Sequence, residues 1–151
     1  MTLSLVALHM LCSLVSYAAF LVAFVSGALF LVQERQLKRK RMGLLFHRLP
    51  PLEVLDRLNF LSLGVGFGLL SLGIGCGLLG SRLLLGRWGA GDPKAYLTVL
   101  VWGLYLSLWL VRLRAALRGR RVAWLSVLGF SLVLVAVVGA GWVLHSPHPY
   151  L

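Results

Sequence analysis

The stretch MLCSLVSYAAFLVAFVSGALFLV, residues 10–32, decides the fold. It runs for 23 residues without a Lys, Arg, Asp or Glu, and the first such side chain in the whole sequence is Glu34. About 20 apolar residues in a helix cross the roughly 30 Å hydrocarbon layer of a bilayer. The run is continuous rather than alternating, which argues for a helix and against a barrel strand. It closes on QERQLKRKR, residues 33–41, where Arg35, Lys38, Arg39, Lys40 and Arg41 gather. An apolar span ending in a basic cluster reads as a transmembrane helix with that end in the cytoplasm. A cleaved signal peptide needs basic residues ahead of a short apolar region. No basic residue precedes residue 10, so the segment is read as a span.

Three further apolar runs follow, at residues 59–80, 95–111 and 122–144. The composition agrees, with 60% apolar and 13% charged residues in a chain of 151. An ordinary soluble domain has about 45–50% apolar and about 25% charged residues. Such a chain lacks the polar surface to cover a soluble core, and it is too apolar for disorder. Its length is that of one domain, and no internal repeat or low-complexity segment is visible. The formal charge is +11, from 15 Lys and Arg against 4 Asp and Glu. Seven basic residues fall in the connection 33–58, five in 112–121 and three in 81–94, which accounts for all 15. The positive-inside rule places the first and third connections in the cytoplasm and both termini and the 81–94 loop outside. The basic runs are therefore read as topology and lipid-headgroup contacts, with no nucleic acid as partner. The expected fold is an all-α integral membrane protein: a four-transmembrane-helix antiparallel bundle forming a single membrane domain over residues 1–151.

Finer features sit on this frame. After Pro50 and Pro51, the segment Leu52-Glu53-Val54-Leu55-Asp56-Arg57-Leu58 predicts a short interfacial helix, with Leu52, Leu55 and Leu58 on one face and a Glu53–Arg57 pair at i,i+4. The second span carries seven glycines in two sets. Gly64, Gly68 and Gly75 share one face, and Gly66, Gly73, Gly77 and Gly80 the opposite one. Small residues on both faces predict a helix packed between two neighbours; room for a flat ligand is the other reading. Cys12 and Cys76 fall at similar depth, as packing residues rather than a disulfide framework. The spans hold no Asp or Glu, which argues against a proton relay or a small cation antiporter. No phosphate-binding loop or dinucleotide fingerprint occurs.

The candidate chemistry lies at the outer end. His9 opens the first span, and His145 and His148 follow the fourth. Between them lies the 81–94 loop with Arg82, Arg87, Trp88, Asp92 and Lys94, while Trp142 lies one turn below His145. His47 is in the basic cytoplasmic connection. This set suits a porphyrin: two neutral imidazoles as axial iron ligands, a Trp as a flat wall, and cations to pair with propionates. Other readings of the same residues are a solvated tail, tryptophans anchoring the interface, and a zinc site with Asp92 as the carboxylate.

Several segments together resemble the cytochrome c assembly family of membrane haem-handling proteins, the CcsA/ResC, CcmC and HemX-like group. Residues 33–40 resemble the basic end of a family helix, and LPPLEVLDRLN at 49–59 resembles its LPxLExLDRLN segment. Gly66-Phe67 and the glycines after it resemble its GFxLLTxGxxxG helix, and WGAGDPK at 88–94 its tryptophan-rich WxWDPKE segment. Trp102 and Tyr105 match a WxxY helix, RGRRVA at 118–123 an RGRRAA turn, and Gly129-Phe130 with Leu144-His145-Ser146 its last helix. The resemblance covers most of the chain and corresponds to the family's C-terminal four-helix portion. It implies transient, non-covalent haem b presented at the outer face of the bacterial cytoplasmic (inner) membrane, for attachment to apocytochrome c. It implies His9 and His145 as the axial pair, Trp88 and Asp92 in the haem-facing loop, and Lys94 after it; among the loop cations, Arg87 and Lys94 are the expected propionate contacts. The implied partners are haem, apocytochrome c and a second, ResB/CcsB-like membrane subunit of a cytochrome c synthetase complex. The attachment uses thiols of the apocytochrome, so no catalytic residue is expected in this chain. Gly91 stands where the family has its second Trp, Ala95 where it has Glu, and Leu110 where some members have His. These departures define the rival reading, a haem-less scaffold or regulatory subunit. A small transporter is the remaining alternative.

Overall fold

The computed structural model describes residues 2–40, 49–86, 93–114 and 119–144. They form four helices: α1 (Thr2–Lys38), α2 (Leu52–Leu85), α3 (Pro93–Arg114) and α4 (Arg120–Leu144). Three of them, α1, α2 and α3, are long and apolar enough to cross a membrane. The chain is an integral membrane protein. At 1.5 Å per residue, the 37 residues of α1 extend about 55 Å, well beyond the hydrocarbon thickness.

Each helix outruns the apolar run that announces it. The largest difference is at α2, where the short interfacial helix expected over 52–58 is not a separate element but the first two turns of a 34-residue helix. No Pro or Gly lies between Leu52 and Gly64 to break it. Pro51 precedes the helix, and its carbonyl accepts from the N–H groups of Val54 and Leu55. Of the expected apolar face, Leu55 is buried and Leu58 exposed. The expected Glu53–Arg57 pair does not form; the ion pairs among the described residues join Glu34 to Lys38 and Arg120, and Asp56 to Arg112. An exposed i,i+4 pair is worth only a few tenths of a kcal/mol, so its absence costs the helix little. At the other end, α2 stops at Gly86, whose left-handed φ of +65° closes the last turn through its N–H to the Arg82 carbonyl.

Successive helices run antiparallel. Along α1 and α2, His9 meets Gly73 and Gly77, Phe20 meets Gly66, and Gly27 meets Asn59. Across α2 and α3, Trp102 Nε1 donates to Ser71 Oγ (2.9 Å), and Trp109 lies against Gly64. Gly27 packs on Ala123 of α4, and Phe30 on Gly119 just before it. The core holds Phe20, Leu63, Leu70, Val101, Tyr105, Leu108, Phe130 and Val133. The rings of Phe20 and Tyr105 stack at 3.5 Å. A Cβ on Gly66 would lie 2.6 Å from the Phe20 ring, so this glycine is the notch that receives it. The opposite surface is apolar too: Leu14 is 68% exposed and Val135 73%, as befits side chains that face lipid.

The two glycine sets behave differently. Gly66, Gly73 and Gly77 face α1 at close range. On the second face only Gly64 touches α3; a Cβ on Gly68 or Gly75 would meet nothing within 4 Å. Gly80, expected with the first set, also faces open space. The helix is thus closely packed along one face, and the two-neighbour arrangement holds only at Gly64 on the other.

Candidate functional site

His9 is half-buried on the seam between α1 and α2, at the end opposite the basic connections. From His9 to Glu34 is 25 residues of uninterrupted helix, about 37 Å. The Nδ1 atom of His9 lies 2.7 Å from the Gly73 carbonyl oxygen. A carbonyl only accepts, so Nδ1 carries the proton. In the neutral ring the lone pair then belongs to Nε2, the nitrogen left for a metal. Ring orientation and tautomer are fixed by a backbone bond, as is usual for metal-ligating histidines. One turn further along α2, a Cβ on Gly77 would lie 3.0 Å from Nδ1 and 3.1 Å from Cε1. A Cβ on Gly73 would meet Ser13 Oγ at 3.2 Å and Cys12 Cβ at 3.6 Å. Cys12 is buried here as a free thiol, and Cys76 is also free.

Of the candidate residues, His9 and Arg82 are those whose side chains the structure describes; Arg82, expected in the outer loop, is exposed in the last turn of α2. His145, His148, Arg87, Trp88 and Asp92 lie outside the described residues, as does His47. Lys94 falls in the first turn of α3 and Trp142 near the end of α4, with side chains outside the described set. The backbone brings the start of α1, the end of α2, the start of α3 and the end of α4 to one end of the bundle.

A second cluster, at the basic end, escaped the sequence reading. Arg112 of α3, counted there only as a topological charge, is buried. Its Nη2 donates to Asp56 Oδ2 (2.9 Å) and to the Asp56 carbonyl (3.0 Å), and its Nη1 to Asn59 Oδ1 (3.3 Å). The guanidinium also sits 4.7 Å from the centre of the Phe60 ring. The Gly119 N–H donates to Asp56 Oδ1 (3.2 Å), and Ser126 Oγ to Asn59 Oδ1 (3.2 Å). Asn59 Nδ2 donates to the Ala23 carbonyl (2.7 Å). Asp56 and Asn59, one turn apart in LDRLN, therefore tie all four helices together. Nearby, Arg120 lies 3.8 Å from Glu34, and Arg35 sits over Trp124. The available signal is the i,i+3 spacing of Asp56 and Asn59 and the position of Arg112, the first of five basic residues that follow the third apolar run. The partners could not be matched without the helix register.

The chain matches the family described as "Cytochrome C assembly protein" over residues 3–148. It is 32% identical over 140 residues to "Protein HemX" of Brevibacillus brevis, covering 92% of this chain and 51% of that protein. It is 31% identical over 108 residues to "Cytochrome c biogenesis protein CcsA" of Synechococcus sp. (strain JA-2-3B'a(2-13)), covering 72% of this chain and 31% of that protein. The CcsA of Guillardia theta is 26% identical over 99 residues, 66% of this chain and 33% of that protein. No solved structure matches. The chain thus spans about half the length of one of these relatives and about a third of the others. A match over almost its entire length, with 32% identity to one relative across 92% of the chain, establishes that the chain belongs to the cytochrome c assembly protein family.

Proposed function

We propose that this protein holds haem as cargo at the outer face of the bacterial cytoplasmic membrane and presents it to apocytochrome c during cytochrome c maturation. Residues 1–151 form one membrane domain of four spans with both termini outside. His9 and His145 bind from the two sides of the porphyrin. Trp88 supplies a flat wall, Asp92 belongs to the same loop, and Arg87 and Lys94 pair with the propionates. Haem iron has two axial positions that take neutral imidazoles. The chain's own part is to bind and orient; the thiols consumed in attachment are those of the apocytochrome, and a second, ResB/CcsB-like subunit completes the complex.

The observation that carries this reading is the Nδ1 bond of His9 to the Gly73 carbonyl, which fits an imidazole whose Nε2 is kept free for iron. Family membership supports the cargo and the pathway. A second reading, a haem-less scaffold or regulatory subunit, is favoured by Gly91 and Ala95, which replace a Trp and a Glu of the haem-facing segment.

Absorption spectra of the detergent-purified protein, oxidised and reduced, decide between them when taken beside His9→Ala and His145→Ala. The proposal expects a bis-imidazole haem spectrum in the parent that weakens in both variants. A parent without haem, even after expression with excess haem, would replace it by the second reading. A tag at the C-terminus, accessible from outside in intact cells, is the matching topological expectation; a cytoplasmic tag would separate His145 from His9 by the membrane and remove the axial pair.

A further inference from the structure

We infer that Gly77 and the Gly73 carbonyl are positioning groups for His9: a side-chain-free window on α2 through which the imidazole reaches the backbone and is held with Nε2 free. The inference rests on the reading of His9 as an iron ligand and adds the residues that orient it.

The geometry follows from how helices cover themselves. A side chain on an α-helix leans toward the N-terminus, over the turn before its own Cα. The residue that shields the carbonyl of position 73 from the side is therefore position 77. Any side chain there lies over that carbonyl. Glycine leaves it bare, and the His9 ring occupies the space, with Nδ1 2.7 Å from the oxygen. Its Nδ1 and Cε1 atoms lie 3.0 and 3.1 Å from where a Cβ of residue 77 would be. The carbonyl has a second lone pair, so it accepts from the imidazole without giving up its place in the helix. Gly73 itself must stay small because Ser13 Oγ lies 3.2 Å from its Cβ position, and that contact lets α1 approach closely enough for His9 to reach. Gly75, which lies between them in sequence, is on the other face of α2 and meets nothing within 4 Å, so it is the control for a glycine outside the seam. The seam places the imidazole over the window formed by Gly73 and Gly77.

The test compares Gly77→Ala and Gly77→Val with Gly75→Ala and Gly75→Val in the full chain, each checked for parental helicity. In the haem-free protein labelled with ¹⁵N-histidine, His9 is assigned by the signal lost in His9→Ala. Spectra are taken at mildly alkaline pH, which favours neutral imidazole. The parent and both Gly75 variants are expected to show an Nδ1–H ring. Gly77→Val is expected to lose that preference, with Gly77→Ala intermediate. In the second arm haemin is titrated into the same proteins. Affinity is expected to fall at least about tenfold in Gly77→Val, the size of effect seen when the group orienting a metal ligand is lost, and to hold in the Gly75 variants. A parent that binds no haemin overturns the function proposed above. A parent that binds haemin, with Gly77→Val matching it in affinity and ring tautomer, overturns the positioning role alone. An Nε2–H ring in the parent also overturns it.

Discussion

Replacing Asp56 by alanine should cost about 3 kcal/mol of stability. Asp56 holds the Arg112 guanidinium at 2.9 Å and receives the Gly119 N–H at 3.2 Å. The Arg112 side chain is only 8% exposed and that of Asp56 22%, so water does little to replace the pair. A hydrogen bond to a charged group is worth about 2 kcal/mol, and an orphaned backbone N–H costs about 1 more. Their sum meets the lower end of the roughly 3–5 kcal/mol range for breaking a buried ion pair from one side. That placement is reasonable because Arg112 keeps the Asp56 carbonyl, Asn59 Oδ1 and the Phe60 ring. The companion variant Arg112→Met removes the charge that would otherwise be stranded. The double variant should therefore recover much of the loss, with a coupling of about 2 kcal/mol between the sites. The assay is reversible unfolding in mild detergent by titrated SDS, followed by helicity, on the parent, both single variants and the double. Single costs that add to within about 0.5 kcal/mol would mean that the two groups do not interact energetically. The cluster would then fill space between the helices without tying them together.

Three further outcomes are expected. Gly66→Ala brings a Cβ to 2.6 Å from the buried Phe20 ring, which Tyr105 backs at 3.5 Å, and should cost about 1–3 kcal/mol in the same SDS assay, whereas Gly68→Ala, in open space, should be neutral or slightly stabilising. Gly119→Ala meets both a φ of +73° and Phe30 Cζ at 3.3 Å, and should lower the SDS midpoint by the equivalent of about 1–2 kcal/mol. Trp102→Phe keeps the ring packed near Phe67 but leaves Ser71 Oγ without its donor, a loss of about 1 kcal/mol by the same titration.

The sequence is most legible where one property repeats. Long uncharged runs locate the helices, and clustered Arg and Lys separate the two ends of the bundle. Glycine spacing separates the side of α2 that meets α1 from the side that does not, because a helical period maps sequence onto faces. Chemistry that depends on two distant residues is less legible. His9 was marked for its depth, but its partner is a backbone carbonyl 64 residues away, and carbonyls leave no trace in a sequence. Arg112 was read as a topological charge because a single Arg at a span end looks the same whether solvated or paired. The continuity of α2 back to Leu52 is less legible for a related reason: Glu53, Asp56 and Arg57 look like a separate interfacial segment until the partner of Asp56 across the bundle is known.

The seam between α1 and α2 has a mechanical consequence. Among the described residues, side-chain-to-carbonyl bonds at three levels cross it in order: His9 to Gly73, Ser16 to Gly66 (2.8 Å), and Asn59 to Ala23. Along α1 they cover 14 residues, about 21 Å. A slip of the two helices by one residue, about 1.5 Å, would strain all three at once, so the pair moves as a single stiff plank. When the surrounding bilayer thins or thickens, the accommodating motion is a change of tilt, and the imidazole rides along without changing its seat. In vesicles of graded acyl-chain length, the orientation of α1 to the membrane normal should change while the His9 environment stays constant.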